Sequence, residues 1–121
     1  MAAPNVVNVT SIYGKTVGAN LTTSTADILT CPTDKVLKLN SIIVSNIDGT
    51  NAADVTVRFY DYNVSTAYHL AKTVSVPADS TLIVLGKDAP IYLEENDRIQ
   101  AHASAASDLE IIISYEELDD A

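Results

Sequence analysis

Residues 53–62, ADVTVRFYDY, decide the fold. Val55, Val57 and Phe59 fall on one face of an extended chain, and the residues between them fall on the other: Thr56, Arg58 and Tyr60. This period of two predicts a β-strand with one buried face. Similar segments recur along the chain, separated by turn signals at the spacing typical of sandwiches and barrels. The sequence therefore predicts an all-β fold, a single-domain antiparallel β-sandwich of jelly-roll or immunoglobulin-like type with eight or nine strands.

The same patterns predict where the other strands lie. Besides residues 53–62, we expect strands at Asn5–Tyr13, Thr25–Cys31, Lys35–Ile47, Thr66–Val76, Thr81–Leu85, Ile91–Leu93, Arg98–Ala105 and Leu109–Tyr115. The small residues of Gly14–Asn20 predict a loop.

Three local features carry further expectations. Asn40 and Ser41 interrupt the alternation of their strand, which predicts a bulge or a bend between two sheets. Asp48-Gly49 is typical of a hairpin centre. The continuous apolar run Thr81–Leu85 is typical of a buried strand.

Length and charge bound the class of protein. The 121 residues suit one domain spanning 1–121, with a short N-terminal arm and an acidic C-terminal tail, Glu116–Ala121. The net charge of −9 repels phosphate backbones and disfavours direct nucleic-acid binding. It serves either solubility or the docking of a basic partner. We expect no membrane span and no secretory signal, because no apolar stretch is long enough and the first residues lack a basic region.

Catalytic, cofactor and metal motifs are missing from the pattern. No glycine-rich phosphate loop or serine nucleophile elbow can be assembled, so we expect no catalytic residues, no cofactor and no enzymatic activity. Cys31 is the single cysteine, and we expect it to be a packing residue in a reducing cytosol. His69 and His102 are far apart on the polar phase of their strands, which predicts ordinary surface residues and no metal site.

One calcium site remains an alternative to solvated acidic turns. Glu94, Glu95, Asp97 and Asp108 lie in two turns that could converge at one end of a sandwich. Carboxylate oxygens are the ligands that Ca²⁺ prefers.

Four segments of the chain resemble small structural proteins of tailed bacteriophages, especially phages of cyanobacteria. The likeness lies in the overall run of the sequence and not in a catalytic motif. The segments cover nearly the whole chain: Val7–Thr16 (VNVTSIYGKT), Ser41–Val57 (SIIVSNIDGTNAADVTV), Ser65–Asp88 (STAYHLAKTVSVPADSTLIVLGKD) and Ile91–Leu118 (IYLEENDRIQAHASAASDLEIIISYEEL). The resemblance implies a virion component that is assembled in the host cytoplasm.

Together with the residues, the resemblance leads to a functional expectation. We expect a decoration or cement protein on the capsid exterior whose partners are the major capsid protein or other virion proteins. Val6, Ile12 and Tyr60 fall on nominally outer strand faces and need covering, which predicts a homo-oligomer, most simply a trimer. The alternatives are a neck or tail accessory protein, a host-facing carbohydrate-binding module and a small glycan-active enzyme.

Overall fold

A computed structural model describes residues 11–119. This part of the chain forms nine strands, numbered in chain order: β1 (Ser11–Asn20), β2 (Ala26–Thr30), β3 (Lys35–Asn46), β4 (Ala53–Asp61), β5 (Thr66–Val76), β6 (Thr81–Leu85), β7 (Ile91–Leu93), β8 (Arg98–Ala103) and β9 (Leu109–Asp119). The predicted all-β fold is confirmed.

The strands form two antiparallel sheets packed face to face. Sheet A has the order β1-β9-β3-β6, with β7 also paired to β3, and sheet B has the order β2-β8-β4-β5. Both β6 and β7 run antiparallel to β3, one beside residues 42–45 and the other beside residues 37–39. They therefore act as one strand interrupted at residues 86–90. When β6 and β7 are counted as one strand, the order of the strands in the two sheets is that of an eight-strand jelly roll, the first of the two predicted sandwich types.

The core lies between the sheets and is aliphatic. Its fully buried members come from both sheets, and the largest are Leu21, Leu37, Leu39, Ile42, Leu93, Ile99, Leu109, Ile111 and Ile113. The period-2 pattern explains why these residues meet, since alternate residues of β3, β8 and β9 point inward. The bulge predicted at Asn40-Ser41 is confirmed, because the register of β3 against β9 shifts between Leu39 and Ser41. The shift keeps both Leu39 and Ile42 on the core side.

The loop predicted at Gly14–Asn20 is wrong. These residues belong to β1, which pairs with β9 from Ser11↔Asp119 to Asn20↔Glu110. Residues 5–10 of the predicted strand Asn5–Tyr13 lie outside the described residues, as does the N-terminal arm. Strand β1 continues through residues 14–20, which include two glycines and an asparagine, because β9 supplies a hydrogen-bonding partner along its length.

The acidic tail is also structured differently from the prediction. Residues 116–119 continue β9, which lies between β1 and β3 in the middle of sheet A. Two cross-strand ion pairs accommodate its charges. The Lys15 Nζ atom lies 3.3 Å from Oε1 of Glu117, and the Lys35 Nζ atom lies 2.6 Å from Oδ2 of Asp119. The carboxylate of Asp119 raises the pKa of Lys35 by accepting this hydrogen bond. Residues 120–121 of the predicted tail lie outside the described residues.

Two smaller expectations also fail. Asp48-Gly49 does not centre a hairpin, because β3 and β4 belong to different sheets. Strand β6 is not buried on both faces: Ile83 is 68% exposed. A continuous apolar run can therefore place alternate side chains outward, as β6 does with Ile83.

Candidate docking surface

An in-register row of isoleucines crosses the outer face of sheet A. Ile112 of β9 pairs with Ile43 of β3, and Ile43 pairs with Ile83 of β6. Side chains that pair directly across neighbouring strands lie on the same face with Cβ atoms about 5 Å apart. Ile83 and Ile112 are exposed and Ile43 is half-buried. We call these three residues the isoleucine row.

A groove lies at one end of the isoleucine row. Gly18 of β1 pairs with Ile112 and therefore continues the row without a side chain of its own. The resulting open groove has a volume of about 290 Å³, and Gly18, Glu110 and Ile112 are among its lining residues. A Cβ atom on Gly18 would lie 4.0 Å from Cγ1 of Ile112, an ordinary van der Waals distance. The glycine is thus open to substitution, and a larger side chain would fill the groove.

The rows beside the isoleucines are mostly uncharged. On one side Thr16, Ser114 and Ser41 pair across β1, β9 and β3. On the other side the row contains Asn20, Glu110, Ser45 and Thr81, and the hydroxyl groups of Ser45 and Thr81 lie 3.2 Å apart. The patch is therefore contiguous and apolar at its centre. Such patches mark interaction sites more often than isolated surface isoleucines do.

Beyond Glu110, this face borders an end of the sandwich whose described loops contain acidic residues as their only charged side chains. We call it the acidic end: the described loops 21–25, 47–52, 77–80 and 104–108, which contain Asp48, Asp79 and Asp108 and no lysine or arginine. Ile47, which is 55% exposed, lies here beside Asp108, whose carbonyl accepts a hydrogen bond from the Ile47 amide at 2.8 Å.

Hydrogen bonds fix the loops of the acidic end. Asn46 is 3% exposed, and its Nδ2 atom donates to the carbonyls of Asn51 at 3.0 Å and Val76 at 2.9 Å. Its Oδ1 atom accepts from the amide of Asp48 at 2.9 Å. The carboxylate of Asp48 in turn accepts from the amides of Thr50 and Asn51, which lowers its pKa. These hydrogen bonds hold the 47–52 loop against the end of β5.

The outer face of sheet B is different, because its polar side chains bind one another. Nε of Arg58 donates to Gln100 at 2.8 Å, and Gln100 donates to Asp27 at 2.8 Å. Arg98 forms an ion pair with Asp27 at 3.2 Å. The guanidinium of Arg98 also lies 5.2 Å from the ring centre of Tyr60, a cation–π contact. These contacts join polar groups of β2, β4 and β8, whereas His69 and Ser75 of β5 are exposed on this face.

His69, His102 and Tyr60, which were predicted from the sequence to lie at the surface, belong to this same face. Nδ1 of His102 lies 3.1 Å from the hydroxyl of Thr25, and His69 pairs with Arg58 across β4 and β5. Tyr62 is 48% exposed and also lies against Arg98, at 5.9 Å. Tyr60 is half-buried, so it offers less free surface than the sequence indicates.

The four carboxylates considered for calcium do not converge. Glu94, Glu95 and Asp97 precede β8, whereas Asp108 follows it at the acidic end, roughly 20 Å away along a strand of six residues. Both oxygens of Asp97 are engaged, since Oδ1 accepts from the amide of Tyr62 at 3.0 Å and Oδ2 accepts from the amide of Glu94 at 3.1 Å. Among residues 11–119 no group of three or more histidine, cysteine or acidic side chains is arranged to hold a metal ion.

Cys31 is a packing residue, as free cysteines usually are. Its side chain is fully buried, and Sγ donates to the carbonyl of Lys35 at 3.1 Å. Burial raises the pKa of the thiol to about 12. The group therefore remains protonated at neutral pH, and a protonated thiol is a poor nucleophile.

No protein-family model and no curated protein matches this sequence. Solved structures do match. A subunit of Bacillus endospore appendages, described as a novel family of disulfide-linked pili, aligns at 17% identity and a TM-score of 0.54 over 92% of this chain and 88% of that one. A chain of the acid-stable capsid of Helicobacter pylori bacteriophage KHP30 aligns at 8% identity and a TM-score of 0.53 over 93% and 91%. The likeness is one of fold.

A third match extends this likeness to a larger protein. A chain of infectious bursal disease virus, Gx strain, aligns at 9% identity and a TM-score of 0.51, over 91% of this chain but only 33% of that one. In that structure the fold occurs as part of a longer polypeptide. Within residues 11–119 of the present chain, no helix is long and apolar enough to cross a membrane.

The sequence patterns pointed to the outer strand faces but not to the isoleucine row. Val6 lies outside the described residues and Tyr60 is covered by Arg98, whereas Ile12 on the edge strand β1 is 60% exposed as expected. The isoleucine row was missed because Ile43, Ile83 and Ile112 lie in apolar runs that resemble core. Only the pairing register shows that one member of each run points outward on the same line.

Proposed function

We propose that this chain is a non-enzymatic structural protein of a phage virion that binds to the outside of the capsid and reinforces it. The observation that carries the proposal is the isoleucine row, a contiguous apolar patch on a module whose other sheet face is polar and partly linked by its own hydrogen bonds. A free-standing soluble domain gains nothing from such a patch, whereas a subunit that assembles buries it.

Two further lines of support concern sequence and charge. The resemblance to tailed-phage structural proteins covers nearly the whole chain, and the jelly-roll fold is similar to that of a phage capsid chain. The net charge of −9 keeps the protein away from packaged DNA and suits an outward position.

The likeness to spore-appendage pili suggests a second kind of assembly, which the cysteine count disfavours. A linear chain of disulfide-linked subunits needs at least two accessible thiols in each subunit. The 121 residues contain one cysteine, Cys31, which is buried. A non-covalent shell contact fits these residues better.

The oligomeric state of the free protein remains a prediction. Ile12 and Tyr13 are more than half exposed on the edge strand β1, and an uncovered edge strand favours pairing with another chain. A trimer would bury them, and light scattering of the purified protein should give three times the mass of one chain. A monomer at high protein concentration would contradict the trimer but not the capsid location.

The test of the proposed function uses particles of the phage that encodes the chain, made with and without it. Mass spectrometry of purified complete particles should find the protein. Particles without it should form but burst at a lower temperature or after milder osmotic shock, and added protein should restore them. Absence from complete particles, or no change in particle stability, would refute capsid reinforcement.

Two outcomes of the same experiment would assign a different place in the virion. Loss of host adsorption with unchanged particle stability would indicate a tail or host-facing carbohydrate-binding module. A missing neck or leakage of DNA would indicate the head–tail junction.

A further inference from the structure

We propose that the outer face of sheet A is the docking face, and that its occupant is a capsid-protein surface with an apolar centre and a lysine- or arginine-rich border. The inference rests on the proposed function and names the contact surface and the chemistry of its partner. The docking face consists of the isoleucine row, the groove at Gly18 and the adjoining rim of Glu110, Asp79 and Asp108.

Charge complementarity identifies the kind of partner. The rim beside the isoleucine row contains carboxylates and, within the described loops of the acidic end, no lysine or arginine. A partner with basic groups at the border of its apolar patch would place opposite charges together. A second copy facing this surface with like ends together would bring two acidic rims close to each other, and like charges at an interface suppress association. A copy turned end for end would meet the row in which Lys38 pairs with Glu116, whose charges cancel, so it would supply no basic border.

The area of the face also disfavours a stable pair of free copies. Four strands about 4.8 Å apart and three rows about 7 Å apart give a face of about 400 Å². A standard stable interface buries about 800 Å² on each partner. A basic shell surface can also cover the acidic rim and so bury the remaining area on this chain, whereas a second acidic copy is repelled there.

The groove gives the face shape as well as polarity. Because Gly18 has no side chain, the row ends in a depression beside Ile112. A protruding apolar side chain of the partner can enter it, and interface anchors are commonly large side chains seated in such pockets. The face therefore favours a partner with a knob over one with a flat surface.

The binding test measures co-sedimentation of purified protein with particles that lack it. Ile83→Thr together with Ile112→Thr removes apolar area without changing charge or β-branching. We expect binding at least tenfold weaker, as for loss of interface anchors. The control is Val64→Thr in the β4–β5 turn at the opposite end, where Val64 is 57% exposed. The control should bind as the wild type does, and thermal melting should show that every variant is folded.

A gain-of-stability variant tests the groove without risking the fold. Gly18→Val adds a β-branched residue to an open position of a strand, which should raise the melting temperature. The same side chain fills the groove, so binding to particles should weaken severalfold. A variant that is more stable and binds as tightly as the wild type would refute the role of the groove.

Salt and charge variants test the chemistry of the partner. Asp79→Asn with Glu110→Gln should weaken binding at low salt and flatten its dependence on salt concentration, because fewer ion pairs are screened. Glu94→Gln, an exposed carboxylate at the other end of the sandwich, is the matched control. Unchanged salt dependence in the double variant would exclude a basic partner at this rim.

The outcomes separate the docking face from the proposed function. If the wild type does not bind particles at all, the proposed function fails. If the wild type binds and the double isoleucine variant binds equally well, the docking face is wrong. If only Val64→Thr loses binding, the contact lies at the opposite end. If light scattering finds dimers that the double variant dissociates, the face binds a second copy and the proposed partner is wrong.

Discussion

Replacing Asp97 by alanine should destabilise the sandwich by about 2–3 kcal/mol. Asp97 is 2% exposed and lies in the turn that leads into β8. Its two carboxylate oxygens accept hydrogen bonds from the amides of Tyr62 and Glu94, so it joins the β4–β5 hairpin to the β7–β8 turn. Each bond to a charged acceptor contributes about 1–1.5 kcal/mol when its donor is only partly buried, which gives the total.

The magnitude converts into a measurable shift. Domains of this kind unfold with an entropy of about 2.1 cal/mol/K per residue, or about 0.25 kcal/mol/K for 121 residues. The melting temperature should therefore fall by about 8–12 °C, and urea unfolding should show a lower midpoint with an unchanged slope.

Two variants control for this interpretation. Asp97→Asn keeps one acceptor oxygen but turns an amide nitrogen toward a backbone donor, so it should lose about half as much stability. Asp88→Ala removes an exposed carboxylate and should change stability by less than about 0.5 kcal/mol. An Asp97→Ala protein within 2 °C of the wild type, or an Asp97→Asn protein as damaged as Asp97→Ala, would refute the account of two hydrogen bonds.

Three further variants test other parts of the structure. Cys31→Ser should cost about 1 kcal/mol of folding stability and leave attachment to particles intact. The wild-type thiol should react with a disulfide reagent at pH 8 only after denaturation, since burial raises its pKa to about 12. Rapid labelling of the folded protein would instead show an exposed thiol. Leu118→Ala, in the stretch predicted from sequence to be a tail, should cost about 2–3 kcal/mol because Leu118 is 5% exposed. The exposed Ile112 of the same strand is the comparison: Ile112→Ala should cost less than about 1 kcal/mol, and equal losses would contradict the burial of Leu118. Asn46→Asp exchanges a buried donor for a carboxylate that faces two carbonyls, so it should cost about 3 kcal/mol of folding stability at pH 7. The cost should be smaller at pH 4, where the carboxyl can be protonated. A loss of stability that does not depend on pH would exclude the electrostatic cause.

Much of the sandwich could be predicted from sequence because its inner strands alternate. Residues 53–62 and 98–103 have one buried face each, and the break at Asn40-Ser41 marked the bulge before any pairing was known. Alternation is a local property, so it can be read without knowing the neighbouring strands.

The parts that were mispredicted depend on pairing. The mispredicted part of β1 contains Gly14, Gly18 and Asn20, residues that are uncommon in strands, but β9 satisfies its backbone groups. Residues 116–119 resemble a solvated acidic run, and only their position between Lys15 and Lys35 makes them compatible with a central strand. The docking face was missed for the same reason, since three isoleucines from distant segments form a row only through the register of sheet A.

The position of β9 between β1 and β3 has a kinetic consequence. Ser11 pairs with Asp119, and Lys35 pairs with Asp119 from the other side, so sheet A joins segments that lie far apart along the chain. Contacts of such high sequence separation must pay for loop closure before they gain stability, and proteins dominated by them fold in milliseconds to seconds. Until residues 109–119 are available, β1 and β3 expose their unpaired edges to other chains. During synthesis at high concentration the isoleucines of an incomplete sheet A would therefore be exposed to aggregation, so the residues proposed to serve assembly are also those that make early folding hazardous.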